Sequence, residues 1–66
     1  MDFVEKARIR LEHWISHSDH HDEEYALFAD QLEGAGKTES AKHLREVADL
    51  SSRSTDCLRK ALKALD

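Results

Sequence analysis

A single interruption divides this chain. The segment Glu33-Gly34-Ala35-Gly36-Lys37-Thr38 holds both of its glycines, and the sequence contains no proline. Proline is the residue that most forcibly breaks a helix, so the segments on either side can run as long, continuous helices. Gly34 can supply the left-handed residue just past a helix end, and Thr38 can cap the helix that follows. Near the start, Asp2 and Glu5 have the spacing of a capping box, with Asp in the position usually held by Ser or Thr. The pattern predicts one domain over 1–66: a helix over about 3–33, a turn at 34–37 and a second helix over about 38–65. The fold class is therefore all-α, an antiparallel helical hairpin. The weakest helical stretch is Ser16-His17-Ser18-Asp19, where Ser and Asp compete for backbone hydrogen bonds, so a kink there is an alternative.

The apolar residues recur as heptads. In the first segment Val4, Ala7, Leu11, Trp14, Ser18, His21, Tyr25, Phe28 and Leu32 alternate by steps of three and four, the spacing of a helix-packing seam. In the second, Ala41, Leu44, Ala48, Ser51, Thr55, Leu58, Leu62 and Leu65 do the same. Each seam turns small or polar near its middle. A hairpin turning near residue 35 pairs positions whose numbers sum to about 71, which sets Ser51 opposite His20 and Ser54 opposite His17. A polar pocket at that level is the expectation, with a hydrated weak spot in a small core as the plainer alternative. Further apolar residues lie off the seams: Ile9 and Leu27 on the first helix, Val47 and Leu50 on the second. Two helices with arcs wider than one contact needs are expected to pair as a homodimeric four-helix bundle.

Size adds weight to that expectation. A core of 66 residues supplies only about 3–5 kcal/mol, and scaffolds this small use a staple. Cys57 is the only cysteine, so no disulfide can form within one chain, and oligomerisation or a metal remains. Cys57 itself reads as a buried inert thiol, with a thiolate ligand as the minority alternative. No apolar run approaches the ~20 residues of a membrane span, and a lone cysteine fits the cytoplasm. The net charge of −4 disfavours nonspecific nucleic-acid binding. Its distribution is uneven, with an acidic first half and a mildly basic second half; these read as ordinary solvated faces, with mutual attraction of the halves, if packed side by side, as the alternative.

Four of the five histidines fall in one short run, His13, His17, His20 and His21, within EHWISHSDHHDEEY. Helical residues three and four apart share a face, which stacks His13, His17, His20 and Glu24 in a column with His21 beside it. Neutral imidazole is the commonest ligand of zinc, nickel and copper. His13/His17 and His17/His21 have the i,i+4 spacing of metalloprotease helices, and Asp19, Asp22, Glu23 and Glu24 can orient the rings. His13, His17 and His20 are the expected main ligands, with His21 and Glu24 next. His43 lies too far along the hairpin to join them within one chain. The ordinary alternative is that each histidine simply edges a surface. There is no Gly-rich phosphate loop and no Glu-x-x-His motif of the di-iron bundles, so catalysis is not expected.

Leu11-Glu12-His13-Trp14-Ile15-Ser16-His17-Ser18-Asp19-His20 resembles the motif of a small uncharacterised bacterial and archaeal helical-hairpin domain family. Its members read approximately L-x-H-W-x-x-H-N-x-x-H, followed by an acidic helix, a Gly-containing turn and an Ala/Leu-rich helix. Ser18 stands where the motif has Asn. In some proteins this domain looks to be joined to small nickel-binding accessory proteins of the carbon-monoxide-dehydrogenase maturation type. The resemblance implies metal handling, with His13, His17 and His20 as the motif histidines and a metalloprotein or accessory protein as partner. Residues and resemblance together point to a small cytoplasmic protein binding a divalent transition metal, nickel or zinc. The alternative is a metal-free dimerisation or protein-interaction module.

Overall fold

The computed structural model describes residues 2–66. Two helices, α1 (Phe3–Gly34) and α2 (Thr38–Ala64), pack on each other as a hairpin whose Cα trace measures 51 × 16 × 11 Å. No described helix is long and apolar enough to cross a membrane. Asp2 caps α1, its Oδ1 accepting the Glu5 backbone N–H at 2.8 Å. α1 passes through Ser16–Asp19 without a break, because seam contacts on both sides of this stretch override its weak local propensity.

The turn differs in detail from expectation. α1 includes Gly34, and the left-handed residue is Gly36, with φ +82°. Lys37 N–H donates to the Leu32 carbonyl at 2.9 Å and Gly36 N–H to that of Glu33 at 3.0 Å. This pair of bonds is the Schellman motif, which puts the positive φ one residue beyond the cap, Ala35. Thr38 is the first helical residue rather than the cap. Lys37 occupies the cap position and makes no side-chain capping bond.

In α2 the expected seam is the observed one: Ala41, Leu44, Ala48, Ser51, Thr55, Leu58, Leu62 and Leu65 are buried or half-buried, and every other residue of the helix is exposed. In α1 the seam is rotated. Ala7, Leu11, Ser18, His21, Tyr25 and Leu32 are half-buried as expected, but Ile15, Asp22 and Ala29 join them while Trp14 and Phe28 are exposed, to 49% and 55%. Val4 is exposed as well. Two causes are visible. Ala29 and Ala41 are both fully buried near the turn, and small residues allow an approach that Phe28 would block. On the far side of the seam, Arg45 bonds Asp30 and Glu33, Arg59 bonds Asp19, and Arg8 bonds Asp66, drawing that edge together. Arg45 and Arg59 join bases of the second half to acids of the first, the direction of attraction between the halves, whereas Arg8 with Asp66 runs the other way. The first-ranking hydrogen bonds, to Asp66, Glu33 and Asp19 respectively, raise the three guanidinium pKa values above their ordinary value.

The register also differs. Ser18 Oγ and Thr55 Oγ1 lie 2.6 Å apart at mid-length, so pairing there runs about two residues beyond the expected sum. The polar layer consists of Ser18, Thr55 and Ser51, and the histidines lie outside it. Thr55 is fully buried and its hydroxyl donates to the Ser51 carbonyl at 2.9 Å. With that single proton committed, Ser18 must be the donor in the contact between the two hydroxyls.

Candidate metal centre

Rotation of α1 places the histidines on the open edge, away from the arginine pairs. His17 and His21, one turn apart, point their Nε2 atoms at each other across 3.0 Å, with the rings nearly perpendicular and centroids 4.4 Å apart. One ring must donate and the other accept, or both nitrogens can present lone pairs to one cation. His21 also lies near-parallel to Tyr25, centroids 6.1 Å apart, and is half-buried. Its Nδ1 stands 3.7 Å from Glu24 Oε1. A small movement of Glu24 would make the carboxylate–imidazole bond that leaves Nε2 available to a metal.

The remaining cluster residues divide around this pair. His13 lies near-parallel to His17 with ring centroids 6.1 Å apart. His20 turns outward and pairs with Glu24, Nε2 to Oε1 at 3.1 Å, its ring 6.5 Å from that of His21. The five sequence-predicted residues therefore share one stretch of α1, but their closest approach is His17 with His21 rather than a continuous column. Among the described residues, no three His, Cys, Asp or Glu side chains converge to hold an ion within one chain. His43 lies apart, near Glu39 and Glu46 on its own helix. Cys57 is exposed, contrary to the buried position expected for it. Asp22, on the rotated seam, has a buried Oδ1 without a hydrogen-bond partner.

Two grooves of mixed lining lie along α1 on either side of the pair. Phe3, Lys6, Ala7, Arg10, Leu11 and Trp14 line the one before it. Glu24, Tyr25, Leu27, Phe28, Gln31 and Leu44 line the one toward the turn. The family model for a domain of unknown function, DUF8180, matches residues 7–65. The chain belongs to the DUF8180 family. The match spans both helices and all the histidines of this DUF8180 domain. Neither the curated proteins nor the solved structures yield a match to it.

Proposed function

We propose that this hairpin is a small cytoplasmic protein that binds a divalent transition metal, zinc or nickel, and buffers it or passes it on without catalysing a reaction. The observation that carries the reading is the 3.0 Å approach of His17 Nε2 and His21 Nε2. Two imidazole nitrogens bound to a tetrahedral zinc at ~2.0–2.1 Å stand about 3.3 Å apart, and at a right-angled site they stand about 2.9 Å apart. The observed 3.0 Å falls between these two spacings. Glu24, 3.7 Å from His21 Nδ1, would orient that ring after a small movement, and His13 stands beside His17 with ring centroids 6.1 Å apart. The resemblance to domains joined to nickel accessory proteins favours the same reading and suggests a metalloprotein or accessory protein as recipient.

The hairpin pairs with a second copy as a four-helix bundle. It exposes 5117 Å², whereas a compact monomer of 7.6 kDa exposes about 4,300 Å². The excess, roughly 800 Å², is what each partner contributes to a standard stable interface.

Titration of the untagged protein with Ni²⁺ and Zn²⁺ by native mass spectrometry tests the metal reading. A specific adduct is expected, lost in the His17→Ala/His21→Ala double variant. Adducts that persist in that variant refute it. The exposed Trp14, Leu27, Phe28 and Leu50 favour one second reading, a metal-free interaction module. Under it the double variant retains partner binding and a Leu50→Ser change abolishes it.

A further inference from the structure

The hairpin has two unlike edges. One is closed by Arg8, Arg45 and Arg59 with their carboxylates. The other is open and carries Trp14, His17, His21 and Phe28 on α1. A single chain brings two imidazole nitrogens together there and no third ligand, whereas a closed zinc site needs four. The site is half-built. Resting on the metal reading above, we infer that a second copy completes it: His17 and His21 of two chains form one four-histidine site on the dimer's two-fold axis.

The position of the pair supports this. α1 spans Phe3–Gly34, so its midpoint falls between Ser18 and Asp19, and His17 and His21 straddle it. A two-fold interface is self-complementary. When the open edge is covered by its own copy along its full length, with α1 antiparallel to α1, the midpoints coincide. Facing residue numbers then sum to 37, which brings His17 within one residue of the level of His21 in the other chain, and His21 within one of His17. Four nitrogens converge where one chain supplies two.

The same operation satisfies the rest of the edge. Positions meet when their numbers sum to about 38, the sum of 17 and 21. Phe28 then meets the level of Arg10, at the groove lined by Phe3, Ala7, Arg10, Leu11 and Trp14. That groove offers Phe3, Leu11 and Trp14 for apolar contact and the cations of Lys6 and Arg10 for cation–π contact with the ring. Glu24 falls opposite Trp14, one turn from Arg10, so opposite charges approach across the axis.

Zinc is the probe, added to the full chain with and without EDTA. Native mass spectrometry reads stoichiometry, sedimentation velocity reads assembly, and X-ray absorption reads the ligands. The expected result is one ion per two chains with four imidazole nitrogens, and a dimer at least tenfold tighter with zinc than with EDTA. His17→Ala/His21→Ala should lose both the ion and the tightening while retaining its helical circular dichroism. Trp14→Glu keeps every histidine but puts a charge in the contact; it should be monomeric and bind zinc at least tenfold more weakly. One ion per single chain, or a Trp14→Glu monomer that binds zinc as tightly as the parent, overturns the shared site and leaves the metal reading standing. Failure to bind zinc overturns the shared zinc site; failure to bind both zinc and nickel, or retention of zinc by the double alanine variant, overturns both readings.

Discussion

The hydroxyl pair at mid-length is the polar centre of the seam between the helices, and its energetics can be worked out residue by residue. Thr55→Val replaces the buried Oγ1 by a methyl group. Ser18 Oγ, 2.6 Å away, then faces carbon, and an unsatisfied part-buried hydroxyl costs about 1–3 kcal/mol. The added methyl recovers up to ~0.8 kcal/mol by burial, leaving a net loss of about 1–2 kcal/mol. Ser18→Ala acts differently, because Thr55 keeps its bond to the Ser51 carbonyl. The lost hydrogen bond costs about 0.5–1.5 kcal/mol, and the better helix propensity of Ala returns ~0.5 kcal/mol. In the double variant both partners are apolar, and no hydroxyl is stranded. The two changes together should therefore cost at least ~1 kcal/mol less than the sum of the singles. For a chain of this size 1 kcal/mol shifts Tm by about 4–8 °C, well within reach of thermal circular dichroism. Protein concentration must be held constant, since self-association raises Tm. Additivity within ~0.5 kcal/mol, or a Thr55→Val variant as stable as the parent, would refute this account of the polar layer.

Three further outcomes are expected. The glycines should respond with opposite signs: Gly34→Ala lies in helix with open space around the new Cβ and should stabilise by up to ~1 kcal/mol, whereas Gly36→Ala at φ +82° should destabilise by about 1–2 kcal/mol; equal effects in urea unfolding would contradict the Schellman assignment. Asp22→Ala removes a buried unpartnered oxygen and a poor helix former, so Cm in urea should rise by the equivalent of about 1 kcal/mol, and a fall would show that Asp22 makes a favourable contact. Metal affinity should drop at least about tenfold between pH 7.5 and pH 5.5, because imidazole must be neutral to coordinate; calorimetry at the two pH values checks this, and unchanged binding would exclude imidazole ligation.

Legibility differed between the helices for a physical reason. In α2 the seam is nearly the only place where Leu and Ala recur against a charged background, so period and face could be read together. α1 carries large apolar residues around much of its circumference, including Ile9, Trp14, Ile15, Leu27 and Phe28. Two seams one residue apart fit its heptads equally well. The decision came from terms that act between segments: the close approach of Ala29 and Ala41, and the arginine pairs on one edge. The i,i+4 relation of His17 and His21 was visible in the spacing. Their selection from four histidines was not, because it depends on the rotation of α1 and on ring orientation. The turn was legible as a break, but with glycines at both 34 and 36, the choice of the left-handed one depended on where α1 lost its last backbone bond.

The arginine edge and the open edge of the seam also respond oppositely to the ionic medium. Screening weakens contacts between exposed charges within a few ångströms of added ionic atmosphere, so simple salts loosen the Arg8, Arg45 and Arg59 side. Strongly hydrated anions such as sulfate instead favour burial of apolar surface, which tightens the side carrying Trp14 and Phe28. In both kinds of salt the arginine margin is therefore the one expected to loosen first, and sulfate widens the difference by holding the apolar margin closed.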